Sequence, residues 1–259
     1  MSNNSIHAPM PTELSQWCSD YLCTTEFKDY CPNGLQVDAN TPIKKLITGV
    51  TASQNLIDAA IAANADAILV HHGYFWKGED ATLTGIKGKR IRSLLQNNIS
   101  LLAYHLPLDA HPLVGNNAQL AQHLGLKITG ALFPHESHPV GNITTCTEQP
   151  IEQLIAKITD TLQRSPLHIS GSQKYITDVA ICTGAAQDMI EQAALQGCQV
   201  FISGEISERT THAARELGID YLACGHHATE MYGVQALGEL IKKQFPQIEV
   251  MFIDDHNPV

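Results

Sequence analysis

The sequence predicts an α/β protein built from two similar α/β domains, and three observations predict it. First, short aliphatic runs such as Ala67-Ile68-Leu69-Val70 and Ser100-Leu101-Leu102-Ala103-Tyr104 recur along the chain. A parallel strand covered by helices on both faces reads as such a continuous apolar run. Second, the stretches between them carry helical periodicity: Leu56, Ile57, Ala60 and Ile61 share one face of 52–64. Third, residues 186–205 can be laid on 53–72 without a gap. Gln187, Ile190 and Ala193 then match Gln54, Ile57 and Ala60, and Glu205 falls opposite His72. Repetition at this scale points to internal duplication of an α/β unit.

Taken in order, residues 11–23 read as an amphipathic helix, with Pro11 and Thr12 suited to its start. Pro32-Asn33-Gly34 is turn chemistry, because Asn and Gly tolerate positive φ. It is either a turn into a strand or a loop at the mouth of a site. A strand over 45–50 leads into the helix over 52–64, and the strand 67–70 runs into His71-His72-Gly73. The following loop holds Tyr74, Phe75, Trp76 and Lys77, which either pack inward or wall a pocket. A helix over 86–97, the strand 100–104 and a helix over 116–124 complete the first half. From about 127 to 177 the pattern weakens under Pro134, Pro139, Gly141, Pro150, Pro166 and Gly171, with one helical piece at 151–163. The expected division is therefore a first α/β half (1–126), a linking or inserted segment (127–177) and a second half (178–259) with a helix over 207–217.

Composition narrows the class. A chain of 259 residues with 44% hydrophobic and 16% charged residues is that of a globular protein with a real core. No run approaches the ~18 apolar residues of a membrane span. The N-terminal MSNNSIHAPMPTELSQW lacks the basic start and apolar stretch of a secretory leader. The expected location is cytoplasmic. Cysteines 18, 23, 31, 146, 182, 198 and 224 are odd in number, scattered and never spaced C-x-x-C, so neither a disulfide framework nor a zinc ribbon is expected. A net charge of −10 repels a phosphate backbone and argues against nucleic-acid binding.

The chemistry lies at three strand ends: His71-His72-Gly73, His105-x-x-x-Asp109 and Gly225-His226-His227-Ala228-Thr229-Glu230. In α/β sheets, ligand-binding groups gather beyond the carboxyl ends of the strands. Imidazole mixed with carboxylate suits zinc, iron, manganese or nickel rather than calcium or magnesium. Adjacent histidines of an extended strand point to opposite sides, so His71 and His72 are expected to serve different metals. A carboxylate can bridge two metals ~3.5–4 Å apart. His226 and Glu230 share a face if their turn is helical. Pro107 makes a regular helix less expected between His105 and Asp109.

These residues resemble a known family. D-Y-C-P-N-G-L-Q-V (29–37), A-D-A-I-L-V-H-H-G (65–73), A-Y-H-L-P-L-D (103–109), F-I-S-G-E (201–205), G-H-H-A-T-E-x-x-G (225–233) and the C-terminal V-M-F-I-D-D-H-N-P are similar to the GTP cyclohydrolase 1 type 2 homologues. These are the YbgI-like, Ngg-one-interacting-factor-three-like proteins with a dinuclear metal centre. The resemblance implies two similar α/β domains with the metal site between them at the strand C-termini, and a homohexameric ring. It implies two divalent ions (Zn, Fe, Mn or Ni) held by His71, His72, Asp109, His226 and Glu230, with Glu230 bridging. His105 would orient Asp109 or a metal-bound water, and Glu205 would shuttle protons or accept a hydrogen bond from a ligand histidine.

Two functions follow as expectations. One is a metal-dependent hydrolase acting on a nucleotide-like or other small substrate. The other is a non-enzymatic metal-binding assembly or regulatory protein acting through protein partners. Neither a Walker P-loop nor a Rossmann glycine fingerprint is present.

Overall fold

The computed structural model describes residues 7–259. Met1–Ile6, the first part of the stretch read for a secretory leader, lies outside the described residues. The chain runs α1 (Pro11–Tyr21), β1 (Gly34–Val37), β2 (Lys45–Thr51), α2 (Gln54–Ala62), β3 (Ala67–His72), α3 (Gly85–Gln96), β4 (Ser100–Ala103), α4 (Leu106–Ala110) and α5 (Asn116–His123). It continues through β5 (Lys127–Ala131), β6 (Asn142–Pro150), α6 (Ile151–Leu162), β7 (Leu167–Ile169), β8 (Tyr175–Cys182), α7 (Ile190–Leu195), β9 (Val200–Ser203), α8 (Glu208–Leu217), β10 (Asp220–Ala223), α9 (His226–Gln244) and β11 (Glu249–Phe252). No helix among the described residues is long and apolar enough to cross a membrane.

Two compact units result. The first holds the described residues through Leu108 together with Val234–Asp255, and the second holds Asp109–Gly233 with His256–Val259. In the first unit the sheet order is β1-β4-β3-β2-β11. The pairs β4/β3, β3/β2 and β2/β11 are parallel, and β1 closes one edge antiparallel to β4. Alternate strand residues Ile47, Ile68, Val70 and Leu101 pack with Leu56, Ile57 and Ala60 of α2 and with Ile91 and Leu94 of α3. Leu46, Leu69 and Leu102, on the opposite face, are equally buried. Helix α2 starts where the sequence supplies a cap: the Ser53 hydroxyl accepts from Leu56 N at 3.0 Å.

In the second unit the order is β5-β6-β8-β9-β10-β7, with β8/β9 and β9/β10 parallel and the remaining pairs antiparallel. Strand residues alternate between two cores. Val179, Ile181, Val200, Ile202 and Leu222 meet Leu120 of α5 and Leu154 and Ile158 of α6. Ala180, Cys182, Phe201, Tyr221 and Ala223 meet Ile190 and Ala193 of α7 and Ala214 of α8. Each unit thus carries the same β-α-β-α-β run, β2-α2-β3-α3-β4 in one and β8-α7-β9-α8-β10 in the other. This is the duplication read from residues 53–72 and 186–205.

The unit boundaries differ from the expected 1–126, 127–177 and 178–259. Residues 127–177 are not a linker: they supply β5, β6, β7 and α6 to the second sheet and its core. Their pattern is weak because these strands pair antiparallel and lie toward the sheet edges, where one face meets water and continuous aliphatic runs are not required. The C-terminal strand β11, in turn, belongs to the first sheet.

Ile158 is fully buried. Ile158→Ala should therefore cost about 2–5 kcal/mol in urea denaturation. A cost within about 0.5 kcal/mol, as for a surface linker, would contradict this placement.

Candidate metal centre

Strand β3 delivers His71 and His72, and the chain beyond β4 delivers His105, because β3 and β4 run parallel and in register to Val70 and Ala103. Ligand nitrogens of the three histidines lie within 4.8 Å of one another. The His71 and His72 ring centroids are 4.6 Å apart, and the His71 and His105 centroids 5.0 Å apart. The expectation that His71 and His72 point to opposite sides is not met. The β3/β4 ladder stops at Val70, while β2 still pairs with β3 as far as Thr51 and His72. Both imidazoles converge with His105.

Each ring is held by its Nδ1. His71 Nδ1 donates to the Tyr104 carbonyl at 2.9 Å, and His105 Nδ1 donates to Asp29 Oδ1 at 2.7 Å. A carbonyl or carboxylate acceptor fixes the proton on Nδ1 and makes Nε2 the lone-pair nitrogen, the arrangement a metal-ligating histidine needs. His72 Nδ1 meets the Thr51 hydroxyl at 3.1 Å.

Asp29, which the sequence reading quoted only within a motif, anchors this corner. It accepts from Tyr30 N, from Asn33 Nδ2 at 2.8 Å and from Leu106 N at 2.9 Å, while Asn33 Oδ1 accepts from His105 N. Burial would raise the Asp29 pKa, but hydrogen bonds and the charge of His105 outweigh it and hold the carboxylate below its usual value. Cys31 lies in the same cluster. Burial and then the charge of Asp29 push its thiol up to about 12. The Pro32-Asn33-Gly34 turn is thus both the entry to β1 and a wall of the histidine cluster. Trp76 packs against His72 and His105 at 6.0 and 5.0 Å between centroids. Tyr74 instead belongs to the core, its hydroxyl donating to the Ala52 carbonyl at 2.7 Å.

In the second unit, Cys182, Ser203 and Ala223 lie level across β8, β9 and β10. The residues that follow each strand therefore gather at one end: Thr183-Gly184, Gly204-Glu205 and Cys224-Gly225-His226. Helix α9 begins at His226, so Glu230 lies one turn on and the same face carries both, with His226 Nε2 and Glu230 Oε2 at 3.2 Å. His226 Nδ1 donates to Glu205 Oε1 at 2.7 Å, so Nε2 is the nitrogen a metal would take once its proton is lost. Burial opposes protonation of His226, yet the Glu230 and Glu205 carboxylates raise its pKa to about 9. A metal binding at Nε2 must therefore displace a proton.

Asp109 is buried in α4, which does form despite Pro107, because proline is tolerated in a helix's first turn. Its Oδ1 accepts from Asn116 Nδ2 at 2.8 Å and from the Thr183 hydroxyl at 3.4 Å, and its carbonyl accepts from Asn117 Nδ2. Asn116 Oδ1 accepts in turn from Gly233 N, and Asn117 Oδ1 from Thr183 N at 2.9 Å. The reading of 116–124 as a helix was right, but it did not single out these two fully buried amides. An Asn-Asn pair at a helix start looks like capping chemistry in sequence. His105, expected to orient Asp109 or a metal-bound water, has Asp29 as its carboxylate partner. Glu205 accepts a hydrogen bond from His226 Nδ1.

Gly184 (φ +69°) sits where a Cβ would lie 2.2 Å from Glu230 Oε1 and 3.2 Å from His226 Nε2. Gly184→Ala combines backbone strain with displacement of the Glu230 carboxylate. It should lower metal affinity about 10–100-fold, the usual effect of disturbing groups that orient ligands. Competition against a calibrated chelator measures it, and unchanged affinity would contradict the assignment.

The chain matches, over residues 10–258, the family Duf34/NIF3 (NGG1p interacting factor 3). A Vibrio cholerae protein named GTP cyclohydrolase 1 type 2 homolog is 52% identical over 256 residues, covering 95% of this chain and 98% of its own length. A protein of the same name from Escherichia coli K12 is 46% identical over 248 residues, covering 95% and 98%. Among solved structures, protein ybgI, described as of unknown function, is 43% identical with a TM-score of 0.92, covering 97% of this chain and all of that one. TTHA1606 from Thermus thermophilus is 28% identical, with a TM-score of 0.88 over the same coverage. The fold, the motifs and these similarities agree: the chain belongs to the Duf34/NIF3 family.

Proposed function

We propose that this protein binds two divalent metal ions through His71, His72, Asp109, His226 and Glu230, with Glu230 bridging, and hydrolyses a small nucleotide-like or related substrate. The observation that carries the reading is the common treatment of His71, His105 and His226: each has Nδ1 bonded to a protein oxygen, so each has Nε2 as the donor nitrogen. The buried carboxylates of Asp109 and Glu230 supply the hard oxygen donors that a mixed site for zinc, iron, manganese or nickel requires. Ions of this kind lower the pKa of bound water toward ~7 and polarise an electrophile.

The chain's own residues do the rest. His105, oriented by Asp29, takes a proton at Nε2, and the Asp29 carboxylate stabilises the imidazolium that forms. Glu205 keeps the proton on His226 Nδ1 and so holds that ring in one orientation. Asn116 and Thr183 hold the Asp109 carboxylate. The relatives' name, GTP cyclohydrolase 1 type 2 homolog, places GTP among the substrates to be tried, beside other nucleotides and phosphoesters. The reading includes a homohexamer in a reducing compartment such as the cytoplasm, where the seven free cysteines stay thiols. A solution mass of one or two chains would rule out the hexamer.

The test is turnover of a nucleotide and phosphoester panel by metal-loaded protein. Wild-type chain should show metal-dependent hydrolysis, and Glu230→Ala should lose both metal and at least ~10²-fold of the rate. Turnover unchanged in a Glu230→Ala protein that has lost its metal would sink the hydrolase. No turnover, with a protein partner captured only by the metal-loaded chain, would favour the binding-protein alternative.

A further inference from the structure

Beyond β11 the chain continues as Ile253-Asp254-Asp255-His256-Asn257-Pro258-Val259. We propose that this tail is a positioning element for His226: the Val259 oxygen fixes the first peptide of α9, and with it the direction in which His226 presents its donor nitrogen. The proposal rests on the metal reading for what that nitrogen holds, while the tail's grip on the helix is argued from its own contacts.

The first N–H groups of a helix have no partner within it and must find one elsewhere. In α9 the N–H of His227 donates to the Val259 oxygen at 3.0 Å. The carbonyl of His226, on the other side of the same peptide group, accepts from the Thr229 hydroxyl at 2.9 Å. That hydroxyl also accepts from Gly184 N at 3.1 Å, which ties the turn to the end of β8. A peptide group is planar, so partners on both its N–H and its C=O fix the plane that joins His226 to His227. The imidazole is held separately, by Glu205 at Nδ1. Backbone and ring of His226 are thus set by two independent contacts, and the tail supplies one end of the first.

The tail is shaped for this contact. Asn257 Oδ1 accepts from Val259 N at 3.0 Å, a turn closed by the asparagine side chain, and Pro258 between them has its φ fixed by its ring. Upstream, Ile253 N donates to the Thr48 carbonyl at 2.9 Å, and the Asp255 carboxylate accepts from the Ser53 hydroxyl and from Asn55 Nδ2. Few residues are left loose between these anchors and Val259, so little conformational entropy is lost in delivering its oxygen. His256–Val259 belong to the second unit, and Pro258 and Val259 wall a cavity of about 450 Å³ there together with Glu205 and Gly225. Val259 itself is 58% exposed. The end of the tail therefore buries little apolar surface, and its hold is the hydrogen bond to the His226–His227 peptide rather than packing.

The experiment compares the full chain with a chain shortened to end at His256, and with Asn257→Ala and Asn257→Asp, the last of which keeps an oxygen for Val259 N. Hydrogen exchange over 225–230 in the metal-free protein reads the start of α9, and competition with a calibrated chelator reads zinc affinity. In the shortened chain exchange should be about tenfold faster and zinc affinity about tenfold lower, as expected when a group that orients a ligand is removed. Its cobalt(II) absorption at saturating metal, which reports ligand geometry, should also differ from wild type. Asn257→Ala should move in the same direction, and Asn257→Asp should restore the wild-type values. Faster exchange with unchanged zinc affinity and cobalt spectrum overturns the proposal, because the tail would then only steady the helix. Equal losses in Asn257→Ala and Asn257→Asp overturn it as well. Zinc held equally by wild-type and shortened chains leaves the metal centre standing without the tail, whereas a wild-type chain that holds no zinc overturns both.

Discussion

Parallel strand pairing governs where the chemistry of this chain can be. In each unit three neighbouring strands run the same way, β2, β3 and β4 in one and β8, β9 and β10 in the other. Each must leave the sheet at the same end and return through a helix. The residues at and just past that end are crowded together by a spacing of about 4.8 Å between strands. His71, His72 and His105 on one sheet, and Thr183, Gly184, Glu205 and His226 on the other, are these residues. The shared β-α-β-α-β run gives two such ends, one with three imidazoles and the other with one imidazole beside one carboxylate.

Crowding alone does not make a metal site; orientation does. A histidine carries two nitrogens, and which one holds the proton decides whether the other can ligate. Here the backbone carbonyl of Tyr104 and the carboxylates of Asp29 and Glu205 make that choice for His71, His105 and His226. On the carboxylate side Asn116, Asn117 and Thr183 fix Asp109, and the missing side chain of Gly184 leaves room for Glu230. The supporting groups come from turns and helix starts, where backbone and side-chain donors are not used up by regular pairing.

How much of this was legible in the sequence follows from the same physics. Buried parallel strands with adjoining amphipathic helices announce themselves, so β2, β3, β4, α2 and α3 were read close to their observed bounds. The ligand types were legible because His and acid residues directly follow apolar runs, and His226 with Glu230 required only that α9 begin straight after Gly225, two residues past the end of β10. Less was legible where tertiary pairing decides. The half-exposed strands β5, β6 and β7 lack a continuous apolar signature, so 127–177 read as a linker, and β11 gave no sign that it would join the first sheet. The convergence of His71 with His72 is a tertiary outcome that strand alternation alone does not record. Asp29, Asn116 and Asn117 went unmarked as orienting groups because an acid or amide in a turn has the same appearance whether it caps a helix or braces a ligand.

The central claim is that this arrangement of imidazoles and carboxylates exists to hold a pair of metal ions. Its most direct test is the metal stoichiometry of the full chain by elemental analysis, after loading with manganese or zinc and removal of unbound ion. The account predicts two ions per chain. A chain that retains none, or only one, would contradict it.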